Sequence, residues 1–237
     1  MRASLTDLQV TDIKERIGRV LEAQAAVAPS TVDGLLDISK HSLQGKLYEA
    51  WVLATICEHL VQQEGLNLRF VRGTSVHFKM KGGPVNRDFP YFEVYRGGTL
   101  IGELFTDTYF HGLSYELRGG RVLGNLGPGD FHELDIALFR PGLNGIPQQD
   151  EVLLAVECKN TSAEKSIMRE VLGFRRELSY FSATLENTNF RVWPASAVHS
   201  NTASVHMLYC SDRNVLNYAQ NCRIFGIIVE HLRLPGT

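Results

Sequence analysis

The fold of this chain is decided by two short apolar stretches, His132-Glu133-Leu134-Asp135-Ile136-Ala137-Leu138 and Leu154-Ala155-Val156-Glu157-Cys158-Lys159-Asn160. A loop with several proline and glycine residues joins them, which predicts two strongly apolar strands over 134–139 and 152–158. A charged side chain in such a strand is costly unless it is paired or bound to a ligand. The carboxylates and the lysine in these stretches are therefore the first candidates for a functional site.

Helical and strand patterns continue on both sides of these two strands. Apolar residues at helical intervals predict helices at 12–27, 42–59, 162–181 and 214–222. Alternating or short apolar runs between turn residues predict further strands at 68–71, 76–79, 91–95, 99–105, 114–117, 205–210 and 225–232. A loop through Trp193-Pro194 precedes the last two strands. This order of elements indicates a mixed α/β fold.

The composition excludes several classes of protein. With 24 Lys and Arg against 26 Asp and Glu, the chain does not bind nucleic acid through bulk positive charge, so any such binding must use local patches. Its 44% hydrophobic content argues against disorder. We see no apolar run long enough for a membrane span, no signal peptide and no Cys-x-x-Cys pair, and we therefore expect a soluble cytoplasmic protein with reduced thiols.

The side chains at the ends of the two strands suggest hydrolytic chemistry. Because strand side chains alternate between faces, Glu157 and Lys159 project to one side and Val156 and Cys158 to the opposite core. Adjacent strands would bring Asp135 beside Glu157, and a hard divalent cation would relieve the repulsion between their carboxylates. Oxygen ligands without a thiolate favour Mg²⁺ or Mn²⁺. With Lys159 holding a water molecule or steadying negative charge, the set suits metal-assisted hydrolysis of a phosphodiester.

This arrangement resembles the PD-(D/E)xK nuclease superfamily, which includes many restriction endonucleases and Holliday-junction resolvases. The matching residues are Asp135, the pair Glu157-x-Lys159, and the upstream Gly45-Lys46-Leu47-Tyr48-Glu49, which looks like the first motif of the family. The resemblance covers about residues 43–232. It implies a restriction-endonuclease-like mixed central sheet flanked by helices, with Glu49, Asp135 and Glu157 as metal ligands and Lys159 as the catalytic lysine.

The sequence departs from the family pattern in two places, and the second concerns the domain organisation. Leu134 stands where the Pro of the Pro-Asp dipeptide would be, and the β-rich stretch at about 76–126 is longer than the family core needs. We predict an N-terminal helical segment over 1–40 and a nuclease-like domain over 41–237. The β-rich stretch is interpreted as an insertion within that domain, serving specificity, oligomerisation or regulation.

The function implied by the resemblance is that of a Mg²⁺-dependent endonuclease that hydrolyses DNA, with RNA left open, in bacterial restriction or antiphage defence. Because cleavage of both strands generally needs two active sites, a homodimer or larger homo-oligomer is expected. Two alternatives remain: an effector nuclease switched on by a ligand or a protein partner through its β-rich insertion, and a non-catalytic nucleic-acid-binding module on the same fold. No Gly-x-x-x-x-Gly-Lys-Ser/Thr loop is present, which argues against an ATPase motor.

Basic residues on the helix after Lys159 are candidates for DNA contact. Lys165, Arg169 and Arg176 fall close to one helical face, where they would hold backbone phosphates. The other interpretation is a solvated basic face paired with neighbouring glutamates on the same helix.

Four residues near the two strands have a functional and an ordinary interpretation. Glu133 would extend the metal site or be a solvated strand end, and His132 would contact substrate or be structural. Cys158 is interpreted as a core residue rather than a nucleophile, and Asn160 as a cap of the next turn rather than a residue that fixes Lys159.

Overall fold

The computed structural model describes residues 5–25, 40–72, 81–120 and 126–235. The helices are α1 (Asp7–Ala25), α2 (Lys40–Gln62), α3 (Leu113–Leu117), α4 (Lys165–Leu178) and α5 (Ala219–Arg223). The strands are β1 (Asn67–Val71), β2 (Tyr91–Arg96), β3 (Thr99–His111), β4 (Phe131–Phe139), β5 (Val152–Lys159), β6 (Tyr180–Asn187), β7 (Ala197–Asn201), β8 (Val205–Cys210) and β9 (Ile227–His231). Short 3₁₀ turns lie at Gln149–Glu151 and Arg213–Tyr218.

The described strands form one large sheet and one small one. Seven strands make the central sheet in the order β1-β2-β3-β4-β5-β8-β9, and β6 pairs with β7 separately. Strands β1 to β5 are antiparallel neighbours, whereas β5, β8 and β9 are parallel. The predicted mixed α/β fold with a central mixed sheet flanked by helices is therefore confirmed.

Apolar side chains cover both faces of the central strands. On one face Val156 of β5 packs in a core with Ile17 of α1 and Leu53 of α2. On the other face Leu208 of β8 packs with Val171 of α4. The first six residues of β5 are all buried, as expected for a strand covered by helices on both sides.

The β-rich stretch predicted as an insertion supplies β2 and β3, which continue the central sheet next to β4. Strand β3 is 13 residues long and pairs with β4 over most of that length. The remaining parts of this stretch at 76–80 and 121–125, including the predicted strand at 76–79, lie outside the described residues, as do residues 26–39 of the predicted N-terminal segment.

Three local predictions differ from the structure. Residues 114–117, predicted as a strand, lie in helix α3, where the ring of Tyr115 stacks on His111 with centroids 4.2 Å apart. Helix α4 ends at Leu178 rather than near 181, because Ser179 adopts an extended conformation. The region predicted as a loop then contains the antiparallel pair β6–β7.

Among the described residues, no helix has both the length and the apolarity required to cross a bilayer.

A buried carboxylate joins the end of α2 to the segment between β6 and β7. Glu64 accepts hydrogen bonds from the backbone N–H groups of Arg191, Val192 and Trp193 at 2.6, 2.7 and 2.9 Å. Arg96 of β2 donates to the same carboxylate at 2.5 Å. Burial would raise the pKa of Glu64, but the three backbone donors and Arg96 lower it below its usual value.

We expect Glu64→Gln to lower the free energy of unfolding by about 2 kcal/mol at pH 7, because charge-assisted hydrogen bonds are lost. The pKa of Glu64 is depressed in the folded state, so its stabilisation is present above the carboxyl's unfolded pKa and is lost as the pH falls through the folded one. Denaturant unfolding of wild type and variant should therefore differ at pH 7 and converge at strongly acidic pH. The exposed Glu22→Gln serves as the control and should unfold like wild type.

Candidate active site

The pairing of β4 with β5 brings two of the predicted carboxylates together. The last ladder pair is Ile136 with Val156, and the same register extended by one residue sets Asp135 opposite Glu157. Backbone pairing ends there, and the carboxylate Oδ2 of Asp135 accepts a hydrogen bond from the backbone N–H of Cys158 at 2.7 Å. The side chain of Asp135 thus accepts a hydrogen bond at the point where β4 and β5 separate.

Glu157 and Lys159 form an ion pair at the end of β5. The Nζ of Lys159 lies 3.2 Å from Glu157 Oε2 and 2.8 Å from Oε1 of Glu170 on α4. Glu157 is only 4% exposed, and burial together with the nearby Asp135 raises its pKa to about 8. Burial would lower the pKa of Lys159, but Glu157 and Glu170 outweigh that effect and raise it, so the ammonium stays charged.

Helix α2 contributes a second ion pair to the site. The Nζ of Lys46 lies 2.6 Å from Oε2 of Glu49 and 2.5 Å from Oδ1 of Asp107 on β3. Burial raises the pKa of Glu49 to about 8, and the charge of Asp135 adds to the shift, which indicates that Glu49 and Asp135 are electrostatic neighbours. Burial would lower the pKa of Lys46, but its two carboxylate partners raise it above its usual value.

Asp107 is a site residue that the sequence analysis missed. The β3–β4 register pairs Thr106 with Ile136 and Thr108 with Leu134, so Asp107 stands opposite Asp135. It is fully buried and has a positive φ of 49°. An Asp between two β-branched residues is the available signal, but the predicted strand ends at 105 and belongs to the stretch interpreted as an insertion.

Acidic residues therefore form a row across three neighbouring strands. Asp107, Asp135 and Glu157 occupy facing register positions on β3, β4 and β5, and Glu49 adds a fourth carboxylate from α2. Burial raises the pKa of Asp135 to about 6, although the hydrogen bond from Cys158 and the lysines partly oppose that shift. Two ammonium groups face four carboxylates, so the cluster has more acidic groups than basic ones.

The carboxylate oxygens of the row suit a hard cation, although each carboxylate already has a lysine or a backbone N–H as its partner. In the described part of the chain, no group of three or more His, Cys, Asp or Glu side chains is positioned to hold a metal ion. Lys46 holds Glu49, Lys159 holds Glu157, and a backbone N–H holds Asp135. Carboxylate oxygens with no thiolate in the row are the ligands that Mg²⁺ and Mn²⁺ prefer, and a cation would offset the buried excess of negative charge.

Two other candidates from the sequence are in packed surroundings. The ring of His132 packs between Phe110 and Phe174 at centroid distances of 5.7 and 5.3 Å. Glu133 stands opposite Tyr109 in the β3–β4 ladder. No described contact connects either residue to the carboxylate row. The surroundings of His132 agree with a structural role, whereas Glu133 is partly buried and is not a solvated strand end.

The residues on either side of Lys159 hold the strand end in place. Cys158 is partly buried and packs against the core under α2, and burial raises the pKa of its thiol well above the usual value. The amide of Asn160 donates to the backbone oxygen of Gln44 at 3.3 Å and accepts from Ser211 at 2.8 Å. Asn160 therefore ties the end of β5 to α2 and to the segment after β8, rather than merely capping a turn.

Three of the four basic residues of α4, Lys165, Arg169 and Arg176, are exposed and form no ion pair with any described residue. Lys165 and Arg169 extend into solvent, and the guanidinium of Arg176 lies over the ring of Tyr180 at 5.7 Å from its centroid. Glu170, a glutamate of the same helix, binds Lys159 instead. Helix α4 therefore passes next to the carboxylate row with its cations unpaired.

We expect the metal-free protein to lose stability as the pH rises from about 5 to 9, because the folded pKa of Glu157, about 8, lies above its unfolded value. Over that range the unfolded carboxylate is ionised, whereas the folded one must ionise in a buried, acidic environment. Glu157→Gln removes this cost, so its free energy of unfolding should exceed that of wild type at pH 9 by more than at pH 5. Denaturant titrations with a chelator at both pH values measure this. An equal difference at both values would contradict it, and Glu164→Gln on the exposed surface of the chain is the control.

Comparisons of this chain with family models, with curated proteins and with solved structures found no match. What the site does must therefore be inferred from its own chemistry. That chemistry consists of buried or partly buried carboxylates on three strands and a helix, two charged lysines among them, and a neighbouring helix with exposed cations.

Proposed function

We propose that this chain is a metal-dependent endonuclease that hydrolyses DNA phosphodiester bonds, with a restriction-endonuclease-like fold of the PD-(D/E)xK superfamily. The observation that carries the proposal is the arrangement of Asp135, Glu157 and Lys159. Asp135 stands opposite Glu157 at the point where β4 and β5 separate, and Lys159 follows two residues later with its ammonium on the Glu157 carboxylate. RNA is the alternative substrate.

Glu49, Asp135 and Glu157 are the residues that would hold Mg²⁺, or Mn²⁺ in its place. When bound, the ion would supply charge neutralisation at the phosphate and a more acidic water molecule. The chemistry of these residues fits such an ion. Burial and the repulsion from Asp135 raise the pKa of Glu49 to about 8 and that of Glu157 to about 8. A carboxyl group that is costly to ionise by itself is stabilised in its ionised form by a nearby cation.

Lys159 has a role that follows from its charge state. Its carboxylate partners keep it protonated, so it cannot take a proton from water in the metal-free protein. It is instead a hydrogen-bond donor of fixed positive charge at the strand end, suited to orienting a water molecule or stabilising negative charge that develops on the phosphate. Glu170 at 2.8 Å and Glu157 at 3.2 Å set the position of its Nζ.

DNA binding is assigned to the exposed cations of α4. Lys165, Arg169 and Arg176 form no ion pair with a described residue and lie on the helix whose Glu170 touches Lys159. Contacts to backbone phosphates from this helix would place a phosphodiester near the carboxylates without reading the base sequence. A homodimer or larger homo-oligomer would supply a second site for the other strand. The expected setting is bacterial restriction or antiphage defence in the cytoplasm.

One observation favours a second candidate, a non-catalytic nucleic-acid-binding module. Lys46 holds Glu49 and Asp107 at 2.6 and 2.5 Å, which partly compensates the carboxylates without a metal. A module of this kind would bind DNA equally well with and without divalent cations. The intact set of Asp135, Glu157 and Lys159 favours the enzyme, because a binding module does not require all three.

We expect wild type to convert supercoiled plasmid to nicked or linear DNA with Mg²⁺ or Mn²⁺ and not with EDTA. Glu157→Gln and Lys159→Met should each lower the rate by about 100-fold or more, because each removes charge stabilisation at the reacting phosphate. Glu164→Gln and Lys81→Met are exposed controls and should cleave like wild type. Gel densitometry measures the rates, and circular dichroism checks folding. A wild type inactive with both metals, or active variants, would refute the enzyme.

Metal binding gives an independent check on the carboxylates. Asp135→Asn and Glu49→Gln should each weaken Mn²⁺ binding by about tenfold or more, because each removes a charged oxygen ligand. Isothermal titration calorimetry or the spin-resonance signal of free Mn²⁺ measures the affinity. Asp150→Asn, an exposed aspartate outside the site, should bind Mn²⁺ like wild type. Equal Mn²⁺ affinities in all four proteins would show that these carboxylates hold no metal.

A further inference from the structure

A cavity of about 480 Å³ opens beside the C-terminal half of α4. Its wall is built from the last two turns of that helix, the start of β6, strand β7 and the turn before β9. Its volume falls within the range of pockets that enclose small organic ligands. It lies outside both the carboxylate row and the β-rich stretch at about 76–126, so none of the residues assigned to catalysis contributes to it.

A buried cation without an anion lies at the wall of this cavity. Arg175 is only 5% exposed, yet none of the described carboxylates forms an ion pair with it. One guanidinium nitrogen donates to the hydroxyl of Ser204 at 3.2 Å, and Nη2 has no hydrogen-bond partner among the described residues. Burial lowers the pKa of Arg175 to about 10. A buried charge of this kind is costly unless an anion accompanies it.

Further polar atoms around Arg175 also lack partners. The hydroxyl of Ser179, which lines the cavity, and both ring nitrogens of the buried His206 form no hydrogen bond with a described residue. Burial and the charge of Arg175 lower the pKa of His206 to about 3, so this histidine is neutral and adds no second positive charge beside Arg175. At Gly226 the absence of a side chain leaves room for Arg175, since an added Cβ would come within 3.2 Å of its Nη2.

The outer part of the cavity is aromatic and exposed to solvent. Phe181 is 58% exposed, and its ring lies 6.0 Å from that of Phe225 and 6.2 Å from that of His199. Tyr180, with Arg176 over its face, completes this aromatic rim. Exposed rings grouped in this way are typical of a surface on which a planar group stacks.

We propose that this cavity binds a nucleoside phosphate, with the phosphate oxygens on Arg175 and Arg176 and the base on the aromatic rim formed by Tyr180, Phe181, His199 and Phe225. Both arginines line the cavity, and a guanidinium group offers several donors in the geometry that phosphate oxygens accept. An aliphatic acid would satisfy Arg175 but would leave the rings uncovered. A second copy of the chain seated on the rim would cover the rings but would bring no phosphate to the buried guanidinium.

Helix α4 connects the cavity to the carboxylate row. Glu170, which binds Lys159, precedes Arg176 by six positions on α4, a separation of about 9 Å along the helix axis at the usual rise per residue. The nucleoside phosphate has two sources with the same chemistry, a free nucleotide and the phosphorylated end of a nucleic-acid strand. Binding is measured directly, so the proposal stands or falls separately from the nuclease activity.

The test is isothermal titration calorimetry with the full chain in EDTA, which prevents metal-dependent cleavage and metal-bridged binding. The probes are AMP, dAMP, adenosine and inorganic phosphate, together with one short single-stranded DNA with and without a 5′-phosphate. Arg175→Met removes the buried cation, and Phe181→Ala removes an exposed ring. Arg140→Met and Phe89→Ala are matched controls at exposed positions away from the cavity.

Nucleotides should bind more tightly than adenosine or phosphate, and Phe181→Ala should weaken binding about tenfold through lost stacking. Arg175→Met should abolish binding without lowering the melting temperature, since no described anion depends on this cation. A preference for the mononucleotides would identify a free ligand, and a preference for the 5′-phosphorylated strand would identify a strand end. Both results support the proposal.

Three outcomes would overturn the proposal. One is that no nucleotide or strand end binds wild type. Another is that inorganic phosphate binds as tightly as AMP and Phe181→Ala binds AMP like wild type, which would leave an anion site without a base subsite. The third is a dimer, measured by sedimentation, that Phe181→Ala dissociates while nucleotides have no effect on either protein. If Arg175→Met fails to fold, Phe181→Ala and its control decide the question alone, because both positions are exposed.

Discussion

The position of the acidic residues depends on one hydrogen bond, which the backbone N–H of Cys158 donates to the carboxylate of Asp135. It occurs where the β4–β5 ladder stops, one residue beyond the pair Ile136 and Val156. A separating strand end exposes backbone groups that need a partner. The Asp135 carboxylate provides one, and this holds it between the acidic residues of the two neighbouring strands.

The second constraint is that the charges of the acidic side chains must be compensated, because the strand register brings these side chains together. Facing register positions on β3, β4 and β5 bring acidic side chains into one row, and burial makes their ionisation costly. Lys46 and Lys159 offset this cost from α2 and from the end of β5. A lysine can do this from a neighbouring element because its ammonium is a compact charge on a flexible stem.

The unpaired Arg175 presents the opposite electrostatic situation on the same helix. Around the carboxylate row acidic groups outnumber basic ones, whereas around Arg175 a buried cation has no described acid. Helix α4 joins the two environments, since Glu170 touches Lys159 and Arg175 lines the cavity near the C-terminal end. Both regions contain charges that a ligand of the opposite sign would stabilise.

Local pattern was enough to predict the elements whose residues interact with near neighbours. The predicted helix at 42–59 corresponds to α2 (Lys40–Gln62), and the two apolar stretches correspond to β4 and β5. The prediction failed at α3 (Leu113–Leu117), whose apolar and aromatic residues also suit a strand, and at β6 (Tyr180–Asn187), whose pairing partner lies beyond an irregular segment. Both elements have partners that are distant in sequence: the backbone N–H of Ser114 in α3 donates to Glu177 of α4 at 3.0 Å, and β6 pairs with β7.

The sequence by itself determined the apolar strands β4 and β5, the alternation that separates Glu157 from Cys158, and the chemical types of residue at the strand ends. These are properties of a few consecutive residues and of the pleat of a strand. Only the tertiary structure decided that Asp107 faces Asp135, that Lys46 joins Glu49 to Asp107, and that Arg175 is buried without an acid. The physical reason is that charge compensation depends on distance in space, and strand register brings together residues that no sequence interval relates.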